Sequence, residues 1–208
     1  MKNTDQLQPS TYYHIYNRGI NGEVIFKKPE NYAYFLRKFN LYISPVADTF
    51  AFCLLKNHFH FLIQTNSESE IDEFKLIQPK FKEKKANQVL SLQFAHFFNG
   101  YSQAINKQEK RTGKLFELPF RRVAVADNSY FTRLIYYIHA NPERHRLVDD
   151  FKIYRYSSYM SHLSHKSTRL QRDKVLEWFG GVKLYKKFHQ ELQIDSKLSG
   201  HDFQDFDC

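Results

Sequence analysis

An alternating stretch of histidines and apolar residues at 58–65, HFHFLIQT, constrains the fold of this chain most strongly. Successive side chains of a β-strand point to opposite faces of the sheet. One face of this stretch therefore carries His58 and His60, and the other carries Phe59 and Phe61, which can be buried in a core. The pattern predicts a strand that is packed on at least one side and presents two imidazoles together.

The two imidazoles allow three interpretations. Side chains that share one face of a rigid strand can bind a divalent metal ion as a pair, or can donate hydrogen bonds to a phosphate. They can also simply face water on a half-buried strand. The His-x-His pattern of His58 and His60 does not by itself decide among these interpretations.

The rest of the chain supplies strands and helices around this stretch. A short break at Lys56-Asn57 separates it from the apolar run 50–55, which indicates an antiparallel hairpin with the histidine strand central in the sheet. Alternation predicts a first strand at 11–17 and further strand within 115–125. Most of 66–85 is expected to be loop. Helical spacing is found at 31–42, 88–106, 127–141, 171–179 and 184–192.

These elements predict an α+β fold with a central antiparallel sheet of four to five strands and helices packed on one face. We expect a flexible N-terminus at 1–10, one main domain at 11–163, a small C-terminal helical extension at 164–195 and a disordered tail at 196–208.

Composition restricts the class of function. The net charge is +9, and 17% of the 208 residues are aromatic, a combination that suits phosphate binding and base stacking. Only Cys53 and Cys208 are cysteines, so no disulfide framework is indicated and a reducing compartment is expected. The sequence shows no signal peptide and no apolar run that could cross a membrane, which predicts a cytoplasmic protein.

The helix predicted at 127–141 carries a second candidate pair. Tyr137 and Asn141 are four residues apart and therefore lie on the same side of the helix, whereas Tyr136 lies on the opposite flank. An amide oxygen is a competent ligand for Mg²⁺ or Mn²⁺. Alternatively, Tyr137 is a packed interfacial ring and Asn141 caps the helix, because Asn-Pro disfavours further helix.

Several motifs resemble those of the IS200-like transposases, and among them the REP-associated tyrosine transposases of bacteria, which are single-tyrosine members of the HUH endonuclease superfamily. The resemblance covers roughly residues 11–163. Its motifs are YHIYNRG, LLKNHFHFLIQ, GKLFELPFRR, YYIHANP and YSSY. Glu117 stands where relatives commonly carry Gln, and PERHRL follows Asn141 in place of a small-residue turn.

The resemblance implies specific roles for these residues. Tyr137 would be the nucleophile that cleaves single-stranded DNA, at hairpin-forming repetitive elements, through a 5′-phosphotyrosine intermediate. His58, His60 and Asn141 would bind Mg²⁺ or Mn²⁺. The expected DNA-binding residues, chosen only by their position in the sequence, are Arg18, Arg121, Arg122, Arg144 and Arg146.

Other interpretations stay open. A noncatalytic nucleic-acid-binding regulator on the same scaffold would keep the basic and aromatic surfaces without needing the register of Tyr137 and Asn141. Another HUH enzyme, such as a replication initiator or relaxase, would generally sit in a longer chain. Relatives occur as homodimers that share the catalytic helix and as monomers, so Tyr137 could complete its own site or that of a neighbour. The expected partner is single-stranded or hairpin DNA in the bacterial nucleoid, with no membrane.

Overall fold

The structure is a computed structural model that describes residues 6–125 and 128–199. Its centre is a four-stranded antiparallel sheet in the order β2-β3-β1-β4. The strands are β1 (Tyr12–Arg18), β2 (Ala47–Leu54), β3 (His58–Thr65) and β4 (Arg121–Ala124). The α+β class and the antiparallel sheet are confirmed. The histidine strand β3 is central, as predicted, because it pairs with both β2 and β1.

Seven α-helices lie within the described residues. They are α1 (Pro29–Tyr42), α2 (Glu68–Ile77), α3 (Ala86–Gln108), α4 (Asn128–Arg144), α5 (Tyr159–Leu163), α6 (Arg172–Trp178) and α7 (Val182–Ser199). The disordered tail predicted at 196–208 begins inside α7, and its residues 200–208 lie outside the described part of the chain. Of the N-terminus predicted to be flexible, residues 1–5 also lie outside it, while Leu7 is fully buried.

Helices cover both faces of the sheet, whereas the sequence interpretation placed them on one. The first core lies between the sheet and helices α1 and α3, and is built around Phe35, Phe59 and Phe97. The second core lies on the opposite face and includes Leu62 of β3 and Leu134 of α4. The physical reason is that β2 is apolar on both sides and Leu62 of β3 adds to the second face, so each face needs its own cover.

The C-terminal helices close the second core. Val175 and Tyr185 are fully buried there, and Trp178 packs its ring against Phe50 and Phe131 at centroid distances of 4.9 and 5.0 Å. The segment before α6 also reaches the outer edge of the sheet, where Leu170 forms a bridge with Thr49. Helices α6 and α7 thus hold α4 against the sheet.

The region 66–85 is helical where the sequence interpretation expected mostly loop. Ser67 begins α2 with a capping box: its hydroxyl accepts a hydrogen bond from the backbone N–H of Glu70, and the Glu70 carboxylate accepts one from the backbone N–H of Ser67. Ile71 and Phe74 bury the apolar side of this helix. The many charged residues that suggested a loop occupy its solvent side.

Candidate active site

Strand β3 presents both histidines on the face that α4 covers. His60 is 1% exposed, and its backbone pairs with Cys53 of β2 and with Tyr16 of β1. His58 is half-buried at the start of the strand, opposite Arg18. The two imidazole centroids are 5.3 Å apart. The predicted sharing of one face is therefore confirmed, and the rings lie close enough to contact one small ligand.

A third histidine, which the sequence interpretation did not place in the site, contacts His60 directly. Nε2 of His14 lies 3.0 Å from Nδ1 of His60, within hydrogen-bonding distance. His14 is 2% exposed and is held on β1, where its register partner is Leu62, two residues beyond His60. Which of the two nitrogens carries the proton depends on the tautomers of the two rings.

The Nδ1 atom of His58 is also within hydrogen-bonding distance of a neighbouring side chain. It lies 2.8 Å from Oδ1 of Asn57, the preceding residue, which accepts the hydrogen bond when Nδ1 carries the proton. The ring of His145, just beyond the end of α4, packs edge to face against His58 at a centroid distance of 4.6 Å. Both histidines of the pair thus use Nδ1 for a local hydrogen bond, and Nε2 is the nitrogen that each would offer to a ligand.

Burial keeps these imidazoles neutral at physiological pH. Desolvation lowers the pKa of His14 to about 3. Desolvation, aided by the charges of His145 and Arg18, lowers the pKa of His58 to about 3. The pKa of His60 lies well below its usual value, first because of burial and then because of the neighbouring histidines. A neutral imidazole has the lone pair that a metal ligand needs.

Helix α4 brings Tyr137 to the histidine pair within one chain. The Tyr137 ring centroid is 5.5 Å from that of His60 and 6.0 Å from that of His14, edge to face in both cases. The guanidinium carbon of Arg144 lies 4.9 Å from the same ring centroid. Tyr137 is 1% exposed, so a DNA phosphate can reach its hydroxyl only if neighbouring side chains move aside.

Asn141 lies one turn after Tyr137 in the interior of α4. Its Nδ2 donates a 2.8 Å hydrogen bond to the carbonyl oxygen of Tyr137, and the residue is 1% exposed. The predicted end of the helix at Asn141 is wrong, because α4 continues through Pro142 to Arg144. Proline removes one backbone donor, but the packing of α4 in the second core offsets that cost.

The predicted donors are of the chemical types that a divalent ion such as Mg²⁺ or Mn²⁺ accepts. Among the described residues, no group of three or more His, Cys, Asp or Glu side chains is arranged to hold a metal ion. A metal would therefore depend on the Nε2 atoms of His58 and His60 and on the amide oxygen of Asn141, whose nitrogen is already bound to Tyr137. Two neutral imidazoles and one amide oxygen leave coordination positions for water and phosphate.

The five predicted DNA-binding arginines separate into different environments. Arg121 pairs with Tyr16 and so lies on the face of His60, whereas Arg122 pairs with Ile15 and lies over the ring of Phe120 on the other face. The remaining arginines lie at three places around the histidine face: Arg18 beside His58, Arg144 over Tyr137, and Arg146 in the exposed turn after α4.

Arg18 is not an isolated cation. Its Nε lies 2.6 Å from Oε1 of Glu117, and the two backbones are also joined, since the N–H of Glu117 donates to the carbonyl oxygen of Arg18. The Arg18 side chain is 47% exposed and that of Glu117 is 28% exposed. The ion pair lies at the rim of the histidine face, where any bound phosphate would compete with Glu117 for Arg18.

The sequence interpretation missed His14 and His145 as members of the site. Alternation in the first strand places His14 on the same face as Tyr16, which was the available signal. It does not say which strand lies next to β1, and the contact with His60 depends on that pairing. His145 joins the site only because α4 extends beyond Pro142, which the sequence disfavoured.

The fold and this face define an α+β protein with a His-x-His strand beneath a tyrosine-bearing helix. No protein-family model matches the sequence, and no curated protein does either. Among solved structures, the chain is similar to one described as a REP-associated tyrosine transposase bound to a REP hairpin. The TM-score is 0.58 at 10% sequence identity, over 79% of this chain and 87% of that one. The resemblance seen in the sequence motifs is thus confirmed at the level of the fold.

No helix among the described residues has both the length and the apolar character needed to cross a membrane.

Proposed function

We propose that this protein is a transposase-like single-stranded DNA endonuclease and strand transferase that uses Tyr137 as its nucleophile. One observation carries the proposal: Tyr137 and the His58–His60 pair converge in the same chain, with the Tyr137 and His60 ring centroids 5.5 Å apart. The similarity of the fold to a REP-associated tyrosine transposase supports the same class. The convergence within one chain supports a site completed within one subunit, which is compatible with a monomer or a homodimer.

The chemistry of the proposed reaction is transesterification. The Tyr137 hydroxyl loses its proton and its oxygen attacks a backbone phosphorus to form a 5′-phosphotyrosine bond, while the bond to the 3′ oxygen breaks and that oxygen takes up a proton and leaves as a 3′-hydroxyl. A later attack by a 3′-hydroxyl on the phosphotyrosine reverses the step and joins DNA strands. Energy of the original phosphodiester is conserved in the covalent bond, so strand transfer needs no nucleotide cofactor.

His58, His60 and Asn141 are proposed to hold Mg²⁺ or Mn²⁺ beside the scissile phosphate. Such an ion supplies Lewis-acid stabilisation for the charge that develops on the non-bridging oxygens. The protein itself orients the imidazoles: the hydrogen bonds of His58 to Asn57 and of His60 to His14 fix the rings. The side-chain amide of Asn141 is oriented by the 2.8 Å hydrogen bond that its Nδ2 donates to the carbonyl oxygen of Tyr137.

DNA binding is proposed to occur on the histidine face. Arg18, Arg121 and Arg144 surround that face and would contact phosphates, with Arg146 in the exposed turn beyond it. Arg122 points to the other face and would contact DNA only where the strand passes the edge of β4. The proposed substrate is a hairpin-forming repetitive element in the bacterial nucleoid, and the proposed location is the cytoplasm.

A covalent-adduct assay tests the nucleophile. The protein is incubated with Mn²⁺ and labelled DNA that carries a hairpin and a single-stranded flank, then run on a denaturing gel. We expect wild type to form an adduct and Tyr137→Phe to form none while still binding the hairpin. Tyr136→Phe is the matched control, since its hydroxyl lies 3.4 Å from Ser196 in α7 and away from His60. An adduct formed by Tyr137→Phe would show that the nucleophile is another residue.

A noncatalytic hairpin-binding regulator is the second candidate. The observation that favours it is the burial of Tyr137, which is only 1% exposed without DNA. This candidate predicts hairpin binding by wild type with no adduct under any metal condition. The covalent-adduct assay therefore separates this candidate from the first proposal.

A further inference from the structure

We propose that His14 is a positioning residue that sets the tautomer and orientation of His60, so that Nε2 of His60 faces the metal and Tyr137. The inference rests on the metal site of the proposed function. It concerns a residue outside the His58–His60–Asn141 donor set, and it assigns His14 a task other than filling space in the core.

The contact between the two histidines allows only one proton between them. Nε2 of His14 and Nδ1 of His60 are 3.0 Å apart, and the ring planes differ by only 20°, so the nitrogens meet edge to edge. If His60 donates through Nδ1, its Nε2 keeps a lone pair and can coordinate a metal. If His14 donates instead, a neutral His60 must carry its proton on Nε2 and cannot be a ligand.

The surroundings leave little room for a different arrangement. His14 and His60 are 2% and 1% exposed, so water cannot readily replace either ring as the hydrogen-bond partner of the other. Both lie on paired strands, and Tyr16 packs against both rings at centroid distances of 4.7 and 5.8 Å. A ring that is fixed by two neighbours and one hydrogen bond presents Nε2 in a single direction, which is what metal geometry requires.

A purely structural role for His14 predicts something different. In that case the hydrogen bond only satisfies two buried polar atoms, and its loss lowers stability without a specific effect on metal binding. A second pair of buried, hydrogen-bonded histidines allows this comparison within the same protein. Nδ1 of His139 and Nε2 of His189 are also 3.0 Å apart and fully buried, but they lie in the second core beside Tyr185 and outside the candidate donor set.

The experiment measures Mn²⁺ binding to the DNA-free full-length protein by electron paramagnetic resonance. The variants are His14→Phe, which removes the acceptor, His14→Gln, whose amide oxygen can still accept from Nδ1 of His60, and His189→Phe as the control. We expect His14→Phe to weaken Mn²⁺ affinity about 10- to 100-fold, as removal of outer partners of metal ligands does. His14→Gln should stay within about threefold of wild type. His189→Phe should lower the melting temperature while leaving Mn²⁺ affinity unchanged.

A second readout needs no substitution. Long-range ¹H–¹⁵N spectra of the wild-type protein saturated with Mg²⁺ should show His60 protonated on Nδ1 and bare on Nε2. Protonation of His60 on Nε2 in that state overturns the inference, and so does a folded His14→Phe variant that binds Mn²⁺ within twofold of wild type. If wild type binds no Mn²⁺ at all, the metal site of the proposed function fails, and this inference fails with it for a distinguishable reason.

Discussion

Asn141 and Tyr137 are joined by a 2.8 Å hydrogen bond from the Asn141 side-chain amide to the Tyr137 carbonyl oxygen, one helical turn apart. The bond orients the amide, because the nitrogen is used within the helix and the oxygen is the atom that remains for other contacts. Helix α4 therefore carries, one turn apart, a phenol packed against His60 and a side-chain amide whose orientation is restricted by its hydrogen bond to the helix backbone.

Substitutions of Asn141 distinguish a ligand from a helix-stabilising residue. We expect Asn141→Ala to raise the Mg²⁺ concentration needed for half-maximal cleavage by about tenfold or more, because one ligand is lost. Asn141→Asp keeps an oxygen ligand but loses the donor to Tyr137, so it should titrate at or below the wild-type Mg²⁺ concentration. The measurement is a Mg²⁺ titration of cleavage. Unchanged titration in both variants would remove Asn141 from the ligand set.

Glu117 is expected to restrain DNA binding through its ion pair with Arg18. Exposed ion pairs contribute up to about 1 kcal/mol, so Glu117→Gln should raise affinity for hairpin DNA by up to about fivefold at low salt. The measurement is fluorescence anisotropy at two salt concentrations. The gain should vanish when Arg18 is also replaced by alanine, since the released cation is then absent. A gain that persists in the double variant would mean that Glu117 acts on DNA without Arg18.

The buried histidines of the second core are expected to make the folded protein less stable at acidic pH. Burial lowers the pKa of His162 to about 4, with a further contribution from Arg172, and burial lowers the pKa of His189 to about 3. The unfolded chain binds protons to these groups near pH 6.5, before the folded protein does. The stability that comes from keeping these histidines neutral is therefore fully present above about pH 6.5. It is lost as the pH falls toward the pKa values of the folded state, and the free energy of unfolding drops by about 2 kcal/mol per histidine at pH 5. Urea unfolding at pH 7 and pH 5 measures the loss.

One histidine of that core makes at most one weak hydrogen bond. His162 is 1% exposed, and within the described part of the chain its ring nitrogens have no hydrogen bond of good geometry, with only a marginal contact to the backbone of Phe50. We expect His162→Phe to be neutral or stabilising at pH 7, because it removes two buried ring nitrogens that make no hydrogen bond of good geometry. The same variant should lose less stability than wild type between pH 7 and pH 5. An equal loss would show that His162 does not titrate in that range.

The first core depends on Phe59, which is fully buried and packs against Phe35 and Phe98 at centroid distances of 5.0 and 5.9 Å. We expect Phe59→Ala to lower the free energy of unfolding by about 3–5 kcal/mol, because it leaves a cavity under the sheet. Thermal or urea denaturation measures the change. Leu118→Ala is the control, since Leu118 is 65% exposed and its truncation should leave stability nearly unchanged.

Local periodicity was enough to predict much of this structure. The alternation at 58–65 determines that His58 and His60 share a face, and the four-residue spacing determines that Tyr137 and Asn141 share a side of α4. The hairpin, the central position of β3 and the α+β class follow from similar short-range patterns. These features depend only on backbone geometry, which every residue obeys.

Long-range pairing decided the rest, because it depends on which surfaces meet. The choice of β1 as the neighbour of β3 brings His14 to His60, and the register of β4 on β1 decides that Arg121, and not Arg122, lies on the face of His60. Packing of α4 in the second core carries that helix past Pro142 and places His145 against His58. Sequence alone determined which side chains share each element's face. Only the tertiary structure decided which of those faces meet, since that choice is made by burial summed over the whole core.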